Sequence, residues 1–121
     1  MADRERLICA AGDLVEQGRG VRLELSRSGQ PQPAFVVRYD GQPRAFLNQC
    51  GHVPVELDWQ EGEFFDDTRL YLICSTHGAL YHPASGQCIG GRCAGRGLIP
   101  VPVVERDGHV YLIETALLAT T

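Results

Sequence analysis

The chain of 121 residues lacks long apolar runs and lacks lysine. Its longest apolar stretch, 98–104, is interrupted by Pro100 and Pro102, whereas a membrane-spanning helix needs roughly 20 apolar residues. Eleven basic side chains, all of them Arg, stand against fifteen acidic ones, for a net charge of −4. A nucleic-acid-binding protein would carry a basic patch or stripe. Composition therefore argues against nucleic acid and membrane as partners.

The N-terminus also lacks an apolar segment of signal-peptide length. Met1 to Arg6 is charged, and no apolar stretch follows it. We therefore expect a cytoplasmic protein. Compact domains usually contain roughly 100–150 residues, so we expect residues 1–121 to form one domain, with 115–121 as a C-terminal tail.

Helical periodicity is nearly absent, and short runs of β character recur between turn signals. Residues 21–25 alternate apolar and polar side chains with a period of two, as a half-buried strand does. Asp40-Gly41 and Asp107-Gly108 are turn dipeptides flanked by apolar runs, which predicts two hairpins. The other predicted elements are strands over 7–9 and 69–73 and one helical turn near 13–16.

Many short strands joined by hairpin turns indicate an all-β domain of antiparallel sheets. Two stretches, 48–62 and 75–97, do not fit as strands. Long irregular stretches in a compact domain usually carry function. Both of these begin beside a cysteine and a histidine.

The chain has five cysteines, an odd number, and no predicted signal peptide. A disulfide framework is therefore disfavoured, and metal or redox chemistry is favoured. Cys50-Gly51-His52 and Cys74-Ser75-Thr76-His77 each follow a predicted strand. Thiolate and imidazole are ligands of zinc and of iron–sulfur centres. A single such pair is usually a buried thiol beside a polar side chain, but two pairs at matched strand ends indicate a metal centre.

The spacing leaves two kinds of metal centre open. Zinc binds four ligands around one ion, and its usual knuckles place two residues between ligands, for which Cys-x-His is tight. Two loops that each supply one Cys and one His fit a two-iron cluster better, because each loop then straddles both metals. A structural zinc domain that uses the same four ligands stays as the alternative.

These residues resemble a known family. Cys50-Gly51-His52 and the segment 74–81, Cys-Ser-Thr-His-Gly-Ala-Leu-Tyr, are similar to the two cluster loops of Rieske 2Fe–2S proteins. The similarity continues in 45–50 as the strand entering the first loop, in 85–98 as a third loop that closes over the cluster, and in 107–112 as the final hairpin.

The resemblance implies a Rieske-type fold of stacked antiparallel β-sheets that holds one 2Fe–2S cluster. It also implies the residues of the site. One iron would be bound by Cys50 and Cys74, the other by His52 and His77, and the positions beside the cluster would be Gly78 and Tyr81.

Three departures from the family pattern stand out. The segment 53–73 between the motifs is longer than usual, and Gly91-Arg92-Cys93 stands where the third loop often carries Gly-Pro. The respiratory-complex branch has an extra cysteine in each ligand loop, joined by a disulfide, and the matching positions here are Val55 and Thr76. The chain therefore resembles the soluble ferredoxin and oxygenase branch.

The resemblance implies a Rieske-type ferredoxin, which is not itself an enzyme. It would carry one electron at a time between a reductase and a terminal oxidoreductase such as an oxygenase, so its partners would be redox proteins. A self-contained oxygenase would need two His and a carboxylate for a mononuclear iron, with a second domain to hold them. The alternatives are a redox sensor or interaction module whose cluster responds to oxidant, and the structural zinc domain.

The resemblance also predicts where the reduction potential lies. High-potential members of the family carry a serine two residues after the second His ligand, where this chain has Ala79. Tyr81 can still offer its phenol to a ligand sulfur. We therefore predict a potential in the lower half of the range for His-ligated centres, roughly −150 to +300 mV.

For the remaining cysteines and the acidic residues, we favour structural roles over functional ones. We interpret Cys88 and Cys93 as small apolar residues of the third loop, with a redox-active disulfide, or a second metal site with His82, as the alternatives. Cys9 is predicted to belong to the core. Six acidic residues between positions 56 and 67 predict a solvated face, with a docking surface for a basic partner as the alternative.

Overall fold

A computed structural model of the protein describes residues 4–27, 30–49, 57, 62–74, 78–90 and 97–114. In this part of the chain, ten strands form three antiparallel sheets, and one three-residue 3₁₀ turn follows the first strand. The predicted all-β fold class is confirmed. The strands are β1 (Arg4–Ala10), β2 (Val21–Arg27), β3 (Gln30–Tyr39), β4 (Gln42–Leu47), β5 (Leu72–Ile73), β6 (Leu80–Tyr81), β7 (Cys88–Gly90), β8 (Pro100–Val101), β9 (Val103–Arg106) and β10 (His109–Glu114).

The three sheets have different roles in the fold. The order β1-β10-β9 joins the two ends of the chain, and the order β2-β3-β4-β8 forms the largest sheet. The smallest sheet, β5-β6-β7, directly adjoins the second Cys-His motif, because β5 ends at Ile73 and β6 begins at Leu80. The fold thus places this motif in the connection between two neighbouring strands.

Both predicted hairpins are confirmed. Strands β3 and β4 pair up to Tyr39 and Gln42, and the two residues between them, Asp40 and Gly41, have φ values of 55° and 72°. Strands β9 and β10 turn in the same way through Asp107 and Gly108. Two consecutive left-handed residues match the twist of the flanking strands, which is why Asp-Gly is a dependable hairpin signal.

Two local predictions are wrong at their boundaries. The strand predicted over 69–73 is reduced to β5, because Arg69 has a left-handed φ of 64° and residues 66–71 form a turn in which the Asp66 N–H donates to the Tyr71 carbonyl. The helical turn predicted near 13–16 is a 3₁₀ turn over Ala11–Asp13. It ends there because the next residue, Leu14, is extended and buried in the core.

The stretch 75–97 contains two strands that the sequence did not indicate, β6 and β7. They have two and three residues, which is too short to show a period of two. Their pairing with β5 is what holds them in place.

The core is divided between two clusters that meet at β3. Phe35 and Val37 belong to one cluster, whereas Ala34 and Val36 belong to the other. Successive side chains of a strand point to opposite faces, so β3 is buried on both sides. The first cluster, which we call the site cluster, also contains Cys74 and is the part of the core that supports the candidate site.

One arginine joins the terminal strands to the largest sheet. The half-buried guanidinium of Arg38, on β3, donates to the carboxylate of Glu105 on β9 at 2.8 Å and to the carbonyl oxygens of Leu14 and Ala11. These bonds fix the 3₁₀ turn against both sheets. Within the described ranges, no helix has the length and apolar character that crossing a membrane requires.

Candidate metal centre

The first loop, residues 48–57, is closed by an asparagine. Strand β4 ends at Leu47, and the next side chain, Asn48, is only 2% exposed. Its Oδ1 accepts a hydrogen bond from the backbone N–H of Leu57 at 2.8 Å. The two ends of the first loop are therefore held together by one buried polar side chain. Cys50 and His52 lie between these ends but outside the described residues.

We expect Asn48→Ala to destabilise the protein by about 1–3 kcal/mol, because the buried N–H of Leu57 would lose its acceptor. The measurement is urea unfolding followed by circular dichroism. Gln42→Ala, at an exposed position of the same strand, is the matched control and should change the free energy of unfolding by less than about 0.5 kcal/mol. Equal losses at the two positions would contradict this role of Asn48.

The second loop, residues 74–79, is closed by backbone hydrogen bonds. The N–H of Cys74 donates to the Ala79 carbonyl at 2.9 Å, and the N–H of Gly78 donates to the Cys74 carbonyl at 2.7 Å. The turn requires a φ of +72° at Gly78, a conformation that favours glycine. Residues 75–77, which include the predicted ligand His77, lie outside the described part of the chain.

Cys74 has the properties of a structural metal ligand. Its thiol is 0% exposed and is not in a disulfide. It sits in the site cluster, with the apolar residues Phe64, Phe65 and Leu72. Such surroundings keep a cysteine unreactive toward solvent reagents unless a positive centre stabilises the thiolate. A buried thiol at the closed base of a loop thus fits a bound metal.

Tyr81 belongs to the same cluster. It lies on β6, paired with Leu72 of β5 on one side and with Cys88 of β7 on the other, and is 0% exposed. The structure therefore brings together two of the six predicted site residues, Cys74 and Tyr81, with Gly78 in the turn between them. Among the described residues, no three His, Cys, Asp or Glu side chains come close enough to hold a metal.

The third loop, 85–98, is closed by a third set of contacts. The N–H of Leu98 donates to the Gly86 carbonyl at 2.7 Å, and the N–H of Gly86 donates to the His82 carbonyl at 2.7 Å. Leu98 is part of the site cluster. Because Leu57 and Cys74 also belong to that cluster, the bases of all three loops share one apolar support.

Comparison with known protein families identifies the family of the domain that contains these three loops. The family model described as the Rieske [2Fe-2S] domain matches residues 5–111. The chain belongs to the Rieske family. Its cofactor is accordingly one 2Fe–2S cluster, for which the closed and buried position of Cys74 is suited. The expected recognition and cofactor are both confirmed.

Solved structures show the same fold. The complex of reduced oxygenase and oxidized ferredoxin in carbazole 1,9a-dioxygenase matches with a TM-score of 0.68 and 22% identity over 90% of this chain and 92% of that one. The Sphingomonas yanoikuyae B1 ferredoxin matches with a TM-score of 0.67 and 19% identity over 93% and 100%. At such identities the similarity establishes the fold alone.

A terminal oxygenase contains the same domain as part of a longer chain. The terminal oxygenase of carbazole 1,9a-dioxygenase from Novosphingobium sp. KA1 matches with a TM-score of 0.67 and 19% identity, over 90% of this chain but 29% of that one. No curated protein sequence matches the Rieske chain.

One of our interpretations is corrected beside the Rieske site. Cys88 is disulfide-bonded, so its interpretation as a simple small apolar residue of the third loop is wrong. The alternative of a second metal site with His82 also fails, because a disulfide has no thiolate to offer and the Nδ1 atom of His82 accepts the N–H of Ala84 at 3.1 Å. Cys93 lies outside the described residues.

The acidic stretch of the Rieske chain is partly engaged within the chain itself. The carboxylate of Glu63 lies 3.8 Å from the guanidinium of Arg19 and 3.9 Å from that of Arg69. The carboxylate of Asp66 accepts a hydrogen bond from the hydroxyl of Thr68. Exposed ion pairs at such distances contribute little to stability. Of the described acids in this stretch, Asp67 is exposed and Glu63 and Asp66 are partly buried, and Glu56, Asp58 and Glu61 lie outside the described residues.

Proposed function

We propose that this Rieske protein is a one-electron carrier between a reductase and a terminal oxidoreductase such as an oxygenase. Its cluster ligands would be Cys50, His52, Cys74 and His77. The observation that carries the proposal is the closed, buried position of Cys74 in a chain that the Rieske domain matches from residue 5 to residue 111. The resemblance of the folded chain to ferredoxins of dioxygenase systems supports the carrier role.

The proposed ligand set contains two thiolates and two imidazoles, with each type on a different iron. Cys50 and Cys74 would hold one iron and His52 and His77 the other, and the bound cluster would supply a one-electron couple. Neutral imidazole leaves more positive charge on its iron than thiolate does, which places such centres above the roughly −400 mV of plant-type clusters.

The residues around Cys74 would have two tasks. Phe64, Phe65 and Leu72 exclude water from one side of the site, which lowers the local dielectric constant around the charge. The hydrogen bonds at Asn48 and Cys74 hold the ends of the two ligand loops in place. A rigid ligand set changes little when the charge changes, which favours rapid electron transfer.

Spectroscopy and partner kinetics test the proposal in two steps. The purified protein should be red-brown, contain two irons and two sulfides per chain, and give an electron paramagnetic resonance signal once reduced. A colourless protein with one zinc would overturn the proposed ligand chemistry. A ferredoxin reductase from a Rieske dioxygenase system should then reduce the cluster on a turnover timescale. Failure with every reductase tried, together with bleaching by oxidant at physiological concentrations, would favour a sensor instead.

The midpoint potential is expected to be below about +75 mV, in the lower half of the range for His-ligated centres. Ala79 is the last residue of the second loop, is fully buried and carries no hydroxyl. Ala79→Ser should raise the midpoint by roughly 65–130 mV, since a hydrogen bond to a charged acceptor contributes about 1.5–3 kcal/mol and, for one electron, 59 mV corresponds to a tenfold change or about 1.4 kcal/mol. Ala84→Ser, outside the ligand loops, is the control and should leave the potential unchanged.

Protein-film voltammetry at neutral pH measures both variants and the parent protein under the same conditions. A parent midpoint above roughly +200 mV would contradict the expectation. An equal shift in the Ala79→Ser and Ala84→Ser variants would show that position 79 has no particular influence on the cluster.

A further inference from the structure

A cavity of about 230 Å³ lies where the largest sheet meets the sheet of the terminal strands. Three prolines border it: Pro43 on β4, Pro100 on β8, and Pro102 between β8 and β9. Among the described lining residues, Phe46 is the one that the cavity shares with the site cluster. Pro100 and Pro102 are exposed, so the mouth of the cavity is open to solvent.

The cavity exists because the pairing between β4 and β8 stops early. Ala45 pairs with Val101, but the next residue along the chain, Pro102, has no N–H with which to continue the ladder. The Pro102 carbonyl instead accepts the N–H of Ile113 on β10 at 3.0 Å. The chain thus passes from one sheet to the other at Pro102, which leaves a space beside the first half of β4.

Arg44 brings a positive charge into this space. In the described lining, every other side chain is apolar. Arg44 is half-buried, and its Nε atom donates one long hydrogen bond to the Tyr39 carbonyl at 3.4 Å. Whereas the neighbouring Arg38 is paired with Glu105, no carboxylate in the described ranges pairs with Arg44. A charge that is partly removed from water is costly unless it is paired, so the terminal N–H donors of Arg44 suit an anion in the cavity.

The lining also defines the chemical class of that anion. The planar fork of a guanidinium matches a carboxylate, which accepts two parallel hydrogen bonds from it. An apolar cavity of about 150 Å³ holds benzene, so about 230 Å³ has room for one ring and a carboxylate. Proline side chains make rigid walls, and a rigid ligand loses little conformational entropy on binding.

We propose that this cavity binds a small aromatic monocarboxylic acid with a single ring. The carboxylate pairs with the guanidinium of Arg44, and the ring packs against the proline and valine side chains of the lining. An apolar wall with one placed polar group is the usual composition of a small-molecule site. The wall fixes the size of the ligand, and Arg44 fixes its charge.

Calorimetric titration of the cluster-loaded protein with benzoate tests the proposal. For a ligand of about nine non-hydrogen atoms, we expect a dissociation constant on the order of 1 mM. Benzamide, which has the same shape without the charge, should bind roughly tenfold more weakly or worse. Equal affinity for the two compounds, or no heat of binding with benzoate, would overturn the proposal.

Three variants assign the binding to the cavity. Arg44→Gln removes the charge and should raise the dissociation constant for benzoate roughly tenfold or more. Ala84→Leu adds bulk to the lining without a change of charge and should abolish binding. Arg19→Gln removes the same charge from a side chain that is 64% exposed, and should bind like the parent protein. Equal binding by the Arg44→Gln and Arg19→Gln variants would overturn the role of Arg44. If Ala84→Leu does not fold, as judged by circular dichroism, Arg44→Gln decides alone.

Methyl NMR spectra locate the ligand. Benzoate should shift the methyl signals of Val101 and Val103, which line the cavity, and leave those of the exposed Val15 unchanged. Shifts confined to other methyl groups would overturn the proposal. A short peptide with a C-terminal phenylalanine that binds at least tenfold tighter than benzoate would also overturn it, because the cavity would then belong to a protein partner. A protein without iron would overturn the proposed carrier function, whereas benzoate binding would still report on Arg44.

Discussion

Cys74→Ala is expected to abolish cluster binding while leaving the chain folded. The thiol is fully buried at the end of β5, so no water or neighbouring side chain can replace it as a ligand from the solvent side. Alanine occupies the same space less one sulfur, and a small cavity in a cluster lined by Phe64 and Tyr81 costs about 1–2 kcal/mol. That is less than the usual 5–15 kcal/mol of domain stability, so the fold should survive.

Iron and sulfide analysis with visible spectroscopy measures this effect, and circular dichroism checks folding. Iron should fall from two atoms per chain to nearly none. Cys9→Ala is the matched control, because Cys9 is likewise not in a disulfide and is partly buried, but it lies on β1. Burial, and then the charge of Asp13, raise the pKa of its thiol, so it is not a thiolate at neutral pH. Retained iron in Cys74→Ala, or iron loss in Cys9→Ala, would contradict the assignment of Cys74.

The sequence could predict the hairpins because their signals are local. Asp40-Gly41 and Asp107-Gly108 require nothing beyond themselves to form two-residue turns. The Cys-His motifs are equally local, which is why the family could be recognised from a few residues. Signals that depend only on neighbouring residues are visible in the amino-acid sequence alone.

The short strands beside the site could not be predicted in the same way. Strands β6 and β7 contain only two and three residues, and no periodic pattern is visible at that length. They exist because Leu72 and Ile73 offer them a partner across the second loop. Strand formation here depends on tertiary contact, which a single sequence does not display.

The supports of the ligand loops are another feature that the sequence analysis missed. Asn48 was visible as an asparagine directly after a predicted strand, a position where such side chains often bond nearby backbone. Its partner, the N–H of Leu57, is nine residues away, and only the folded chain reveals it. The sequence analysis favours a small apolar role for Cys88 and gives a disulfide with Cys93 as an alternative; Cys88 is disulfide-bonded, and Cys93 lies outside the described residues.

Gly86→Ala is expected to destabilise the protein by about 2–4 kcal/mol, through backbone conformation and through a steric clash. Gly86 has a φ of +77°, and an added Cβ would lie 2.7 Å from Cε1 of Phe46 and 3.1 Å from the carbonyl oxygen of Leu98. Phe46 is buried in the site cluster, so moving its ring would disturb the packing of that cluster. The carbonyl contact also disturbs the base of the third loop.

Urea unfolding monitored by circular dichroism measures this loss, and the rate of cluster bleaching reports the local effect at the third loop. Gly12→Ala is the control, because an added Cβ there meets no atom within 4 Å and its φ is not left-handed. Its free energy of unfolding should change by less than about 0.5 kcal/mol. If the two variants were equally stable, Gly86 would not be the residue that lets the third loop close against Phe46. A loss in Gly86→Ala with unchanged bleaching would instead confine its role to the core, because the strain would then be absorbed without loosening the loop above it.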